Sequence, residues 1–249
     1  YFRETDYGEY IDISNVSINS LKTAMKKKLS DELDYIEINC MRELSEFIFY
    51  IRATYMVDNV MNILAAFSIV HALGMPVTNA IHKISSFSGV DGRMEMVDRG
   101  QGYKVVVDYA HTPDALRNAL SMLRECTNGK LHLVFGCGGD RDKGKRLEMT
   151  KVACAGADRV WATSDNPRTE SQGNIFNDMR KGISKSSKVY FVDDRRRAIS
   201  MALDSAGNED CVLIAGKGHE TFQEVQYTAI PFDDRTVAGE LLSAKQLTD

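Results

Sequence analysis

Leu131-His132-Leu133-Val134-Phe135-Gly136-Cys137-Gly138-Gly139 is the stretch on which the fold turns. A short, mostly apolar run ends in three glycines within four positions. Such a run reads as a strand buried on both faces, and glycines at its carboxyl end let the backbone approach an anion closely. The pattern repeats along the chain. Residues 105–108, 160–163, 189–192 and 211–215 are also apolar, and helix-length segments separate them. Leu116, Ala119, Leu120 and Leu123 recur at the helical period, and Ala198, Met201 and Ala202 do so in part. Strands alternating with helices predict an α/β fold with a mostly parallel sheet covered on both faces. Ligands of such sheets collect beyond the carboxyl ends of the strands.

Upstream of this region the signals change. Residues 94–97 and 103–107 flank Asp98-Arg99-Gly100-Gln101-Gly102, a hairpin-like connection. Before it, Ser88-Gly89-Val90-Asp91-Gly92-Arg93 reads as a linker. It divides the chain into an expected domain at 1–91 and another at 92–249. In the first, residues 35–39 and 47–51 read as strands, and Lys26-Lys27-Lys28 as a solvated charge run. Val60, Ile63, Leu64, Phe67, Val70 and Leu73 fall at helical spacing, ended by Gly74 and Pro76. A second helix is expected through Ala80, Ile81 and Ile84.

The 249 residues are 43% hydrophobic and 27% charged, ordinary for a globular protein. A formal net charge of -4 gives no sign of a nucleic-acid-binding surface. Five cysteines without paired spacing fit reduced thiols rather than a metal or disulfide framework. No apolar run approaches the roughly 18 residues needed to span a bilayer. The opening Tyr-Phe-Arg-Glu-Thr-Asp has neither signal-peptide organisation nor an initiator Met. A piece of a cytoplasmic protein, without membrane partners and monomeric, is the expectation.

Polar motifs follow the strands. Asp108-Tyr109-Ala110-His111-Thr112-Pro113 offers an Asp and a His for a ribose and base, or merely a polar strand end and helix cap. Gly136-Cys137-Gly138-Gly139 is not a GxxxxGK[ST] phosphate loop, and no such loop occurs in the 249 residues. It leads into Asp140-Arg141-Asp142-Lys143-Gly144-Lys145-Arg146, where Arg141 is the favoured carboxylate ligand because its fork permits two parallel hydrogen bonds. Lys143, Lys145 and Arg146 are weaker candidates. Asp165-Asn166-Pro167-Arg168 puts an acid, an amide and a guanidinium on one turn, which suits a zwitterion. Asp, Asn and Pro favour turns anyway; Arg168 is the residue a turn does not need. In Gly216-Lys217-Gly218-His219-Glu220, Glu220 offers a carboxylate to an ammonium group, and His219 is as readily structural as catalytic.

The order of these motifs on successive strands resembles the Mur ligases of peptidoglycan precursor synthesis. The resemblance rests on Asn62-Ile63-Leu64-Ala65-Ala66, Gly92-Arg93-Met94-Glu95, the Asp108 and Gly136 motifs with their sequels, Ser164 to Arg168, Ala215 to Glu220, and Pro231-Phe232-Asp233-Asp234-Arg235. It implies a Rossmann-like C-terminal domain at 92–249, preceded by the end of an α/β central ATP-binding domain. It also implies ATP-dependent amide formation. A muramoyl-dipeptide carboxylate is activated as an acyl phosphate, and the amine of the incoming amino acid attacks it. Asp-Asn-Pro-Arg resembles the signature of family members that add meso-diaminopimelate rather than L-lysine. By the same resemblance Arg141, Asp165, Asn166, Arg168, Gly216 and Glu220 bind the amino acid, while Asn62, Arg93 and Asp108 hold ATP. Magnesium, the phosphate loop and the carbamylated lysine belong to the family's central domain, upstream of this sequence, so no metal ligand or catalytic residue is assigned here. The chain alone is therefore expected not to turn over ATP. A non-catalytic amino-acid-binding module and a Mur-like ligase for another amino acid are the alternatives.

Overall fold

The computed structural model describes residues 79, 81–82, 89–183 and 188–246. The chain divides into two compact units, Tyr1–Ser88 and Gly89–Asp249. In the first unit, Asn79, Ile81 and His82 are helical. The strands expected at 35–39 and 47–51, the lysine run, the helix expected at 60–73 and the candidate ligand Asn62 lie outside the described residues.

In the second unit the chain runs β1 (Glu95–Met96), β2 (Lys104–Asp108), α1 (Pro113–Glu125), β3 (Leu131–Cys137), α2 (Gly144–Gly156), β4 (Arg159–Ser164) and α3 (Gln172–Arg180). It continues through β5 (Val189–Val192), α4 (Arg195–Ser205), β6 (Cys211–Ala215), β7 (Phe222–Val225), β8 (Thr228–Pro231) and α5 (Asp234–Gln246). Six strands form one sheet in the order β1-β2-β6-β3-β4-β5. Only β1 is antiparallel to its neighbour. All five parallel strands expected from the sequence are present, with ends differing by at most two residues. They are recognisable because β3 and β6 are buried along their whole length and β2 along all but Lys104.

Strand alternation sorts the core into two layers. Val105, Val107, Val134, Trp161, Val212 and Ile214 face α4 and α5, where Ala198, Ile199, Ala202, Val237 and Leu242 meet them. Val106, Leu133, Phe135 and Leu213 are equally buried and alternate to the opposite face, on which α1 contacts β3 and β6 and α2 contacts β3 and β4. Each such side chain contributes roughly 1.5–3 kcal/mol by leaving water. Local chemistry starts the helices. The Thr112 hydroxyl accepts from the Ala115 N–H and Pro113 occupies the first turn of α1. Asp194 caps α4 by accepting from the Arg197 N–H.

The β7–β8 hairpin and α5 have no counterpart in the sequence reading. Every residue of β8 is exposed, so no buried alternation marks it. The turn places Gln226 (φ 46) and Tyr227 (φ 62) in the left-handed region, which Asn and Gly usually occupy in tight hairpins.

One buried ion pair joins the late elements to the sheet. Arg195, at the start of α4, donates from Nε and Nη2 to the two oxygens of Asp234, each at 2.7 Å. Its remaining donors reach the Ser164 carbonyl at the end of β4 (3.1 Å) and the Ala215 carbonyl at the end of β6 (3.0 Å). Both side chains are fully buried. A buried pair adds little over an apolar replacement, whereas removing one partner strands a charge. Arg195→Ala is therefore expected to destabilise by about 3–5 kcal/mol, and Arg195→Met with Asp234→Leu by less than Arg195→Ala alone. Urea unfolding of the three variants checks this; a double variant at least as unstable as the single would contradict it.

Candidate functional site

The loops after β2, β6, β3 and β4 are neighbours because those strands are adjacent in the sheet. The motifs noted in the sequence therefore meet at one end of it. Gly139 N–H donates to the Asn166 carbonyl at 2.9 Å, and a Cβ at residue 139 would run into the Pro167 carbonyl. Only glycine permits this approach of two main chains. Gly216 is glycine for a different reason: its φ of 115 strains any other residue, and a Cβ there would also lie 2.7 Å from the Asp165 carboxylate.

A compact polar network occupies the centre. The Lys217 ammonium, completely buried, donates to Asn166 Oδ1 (3.1 Å) and Glu220 Oε2 (2.9 Å). Asn166 Nδ2 donates to the same Glu220 oxygen at 2.9 Å, and Asn166 Oδ1 also accepts the Glu224 N–H at 3.0 Å. Burial pushes the Glu220 carboxyl up, but Lys217 and Asn166 outweigh it and hold it below its ordinary value. Glu220, expected to meet a bound ammonium, thus already has one on Oε2; Oε1 has no hydrogen bond among the described residues. Asn166 is committed to the protein itself. Lys217 carries this network, and nothing in the Gly-Lys-Gly sequence distinguished it from a solvated lysine.

Asp165 and Arg141 are different. No hydrogen bond among the described residues reaches the Asp165 carboxylate or the exposed Arg141 guanidinium. Asp165 stands beside the space that Gly216 leaves open. Arg168 corrects one expectation: it has a backbone role. Its φ is 53, its N–H donates to the Glu224 carbonyl at 2.9 Å, and its own carbonyl accepts from Gln226 N–H at 2.8 Å. The side chain donates from Nη1 to the Gly139 carbonyl (2.9 Å), and its Nε forms an ion pair with Glu224 Oε2 at 2.9 Å.

Arg146 corrects another. It was among the candidate ligand cations, yet it is buried and bonded to Glu170, Asp178 and the Gly138 carbonyl. Its task is to hold the glycine loop against the segment following Arg168. Asp140 (φ 53) adds a clamp there, accepting from the Thr169 N–H (3.0 Å) and hydroxyl (2.8 Å).

On the β2 side, Asp108 is buried and organises its surroundings. Oδ1 accepts the Ala110 N–H at 2.8 Å and Oδ2 the Met94 N–H at 2.9 Å, and burial raises its carboxyl. Met94 follows Arg93, whose guanidinium lies 4.6 Å over the Tyr109 ring. His111 and His219 flank that ring, at 4.5 and 5.1 Å between centroids. Aromatic and cationic planes in this arrangement suit a flat, electron-rich ligand. Among the described residues no group of three or more His, Cys, Asp or Glu is arranged to hold a metal ion, and no helix is long and apolar enough to cross a membrane.

The family model described as Mur ligase, glutamate ligase domain, matches residues 92–218, more than half of the chain. This chain belongs to the Mur ligase family. A UDP-N-acetylmuramoyl-L-alanyl-D-glutamate–2,6-diaminopimelate ligase of Fusobacterium nucleatum is 39% identical over 216 residues, covering 86% of this chain and 44% of that protein. A ligase of the same name from Prochlorococcus marinus is 48% identical over 188 residues, or 75% of this chain and 37% of that one. A solved structure of a ligase so named superposes with a TM-score of 0.62 at 41% identity, over 76% of this chain and 39% of its own. The chain thus spans less than half the length of these curated relatives. The Rossmann-like, mostly parallel sheet is that of the Mur ligase C-terminal domain.

In this Mur ligase domain the Arg146–Glu170 pair sets a pH limit. Arg146 holds the Glu170 carboxyl at about 2, against an ordinary 4.5. A carboxyl depressed by folding stabilises fully above its ordinary value and loses that contribution as pH falls through the depressed one. Melting temperature is thus expected to fall less steeply between about pH 4.5 and 2 for Glu170→Gln than for the parent. Thermal unfolding across that range tests this; parallel slopes would refute it.

Proposed function

We propose that the full-length protein carrying this chain is an ATP-dependent, ADP-forming ligase that adds meso-diaminopimelate to UDP-N-acetylmuramoyl-L-alanyl-D-glutamate in the cytoplasm, in peptidoglycan precursor synthesis. The observation that carries this reading is the Arg168 guanidinium, tied to the glycine loop through the Gly139 carbonyl beside the unbonded groups of Asp165 and Arg141. Diaminopimelate has a carboxylate and an ammonium at each end. A fork-shaped cation matches a carboxylate with two parallel hydrogen bonds, which a lysine substrate, lacking the distal carboxylate, would leave unused.

Arg168 and Arg141 take carboxylates, and Asp165 takes an ammonium group in the space kept by Gly216. Glu220 acts through Oε1, while Asn166 and Lys217 keep the floor of the site rigid. Holding the attacking amine in place supplies much of the catalysis, because the reaction then proceeds from a fixed geometry. ATP, with magnesium, supplies the activation of the dipeptide carboxylate. Arg93 and the rings of Tyr109, His111 and His219 fit its base, and Asp108 holds the Arg93 turn in place. Residues 1–91 are proposed as the end of the central domain and 92–249 as the amino-acid-binding one. The isolated chain, which lacks a phosphate loop, is expected to be inactive.

ADP release by the full-length protein, given the muramoyl-dipeptide nucleotide, ATP and magnesium, tests the reading. Turnover is expected with meso-diaminopimelate and not with L-lysine. Arg168→Lys keeps the charge but not the fork, and is expected to raise KM for diaminopimelate roughly tenfold or more. Turnover with lysine would discard the specificity. No turnover with either amino acid, from a folded protein that still binds diaminopimelate, would favour a non-catalytic binding module.

A further inference from the structure

The β7–β8 hairpin is built onto the Asp165-Asn166-Pro167-Arg168 turn. Arg168 pairs with Val225 as an isolated parallel bridge. Gln223 Nε2 donates to the Asp165 carbonyl at 2.9 Å, and the Glu224 N–H donates to Asn166 Oδ1 at 3.0 Å. With the two main-chain bonds of Arg168, these contacts dock β7 without help from the Glu224 side chain. That side chain nevertheless reaches Arg168 Nε at 2.9 Å. Glu224 is 39% exposed and Arg168 is 22% exposed. An ion pair so open to water contributes little to stability, so its consequence is geometric.

A guanidinium has five N–H donors in one plane. The Glu224 carboxylate lies against Nε as an ion pair, the Gly139 carbonyl accepts one hydrogen of Nη1, and no hydrogen bond among the described residues engages Nη2. One hydrogen bond and one ion pair hold the guanidinium in place and leave its terminal donors available. We propose that Glu224 is a positioning residue: it fixes the Arg168 guanidinium for the distal carboxylate of the amino-acid substrate, and so helps decide which amino acid is accepted. This proposal rests on the diaminopimelate reading above. Glu224 belongs to the one strand that the Arg168 backbone joins, and it acts through Arg168 rather than on the substrate.

The test is steady-state kinetics of the full-length protein with meso-diaminopimelate and with L-lysine. Glu224→Ala is expected to raise KM for diaminopimelate about fivefold, the loss of one partly exposed ion pair to the guanidinium, with KM for ATP unchanged. Glu224→Gln is expected to restore part of the affinity, because its amide oxygen still lies against Nε. Should the alanine variant fold poorly, Glu224→Thr suits a strand and is too short to reach Nε. An unchanged KM in the shortened variant, or a glutamine variant as impaired as alanine, would overturn the proposal. A parent enzyme that adds lysine instead would overturn the diaminopimelate reading, and this proposal with it. A parent that adds diaminopimelate, with an indifferent alanine variant, would overturn this proposal alone.

Discussion

The buried contact of Arg195 with Asp234 is the constraint on which the site end of this domain depends. One guanidinium joins the first turns of α4 and α5 and also binds the last carbonyls of β4 and β6. Those carbonyls belong to Ser164 and Ala215, the residues immediately before Asp165 and Gly216. Two loops that belong to different strands, and are far apart in the chain, thus begin from a common fixed point. A charge so deeply buried is tolerable only when its donors are satisfied, and here four hydrogen bonds share one side chain.

From that point outward, rigidity comes from carboxylates and amides that a sequence reading would spend on substrate. Lys217, Asn166 and Glu220 satisfy one another, Arg146 satisfies Glu170 and Asp178, and Asp108 satisfies two backbone amides. Among the described residues of these strand-end loops, the groups left over are few: Asp165, Arg141, Glu220 Oε1 and the free donors of Arg168. This division between groups that build the site and groups that remain for a ligand follows from desolvation. A polar group inside the protein must find a partner, whereas one at the mouth can wait for a substrate.

The hairpin explains how a short turn can hold Arg168 with a left-handed backbone. An arginine at φ 53 is strained by itself. The bonds from Arg168 to Glu224 and Gln226 turn that residue into the edge of a small sheet, and that pairing offsets the strain. The turn of the hairpin is similarly irregular at Gln226 and Tyr227. Both irregularities lie on the same side of the site, where the substrate's distal end is proposed to bind.

How much of this was legible in the sequence depended on the range of the interaction. The five parallel strands were legible because a sheet covered on both faces demands unbroken apolar runs, and the Thr112-Pro113 helix start because caps are local. Gly136 to Gly139, Asp165 to Arg168 and Gly216 to Glu220 were recognisable as strand-end motifs for the same reason. Hidden were β7 and β8, whose residues carry no buried alternation; α5 was missed although Val237, Ala238 and Leu242 are buried at helical spacing. Hidden too were the roles of Arg195, Arg146 and Lys217, which lie among charged or glycine-rich neighbours and look like solvated cations. The sequence by itself determined the parallel sheet, the α1 and α4 helices and the family, since these follow from periodicity and short motifs. Only the tertiary structure decided which charges are buried and paired and which stay free. That choice depends on partners such as Asp234 and Glu170, brought close by the fold and not by the chain.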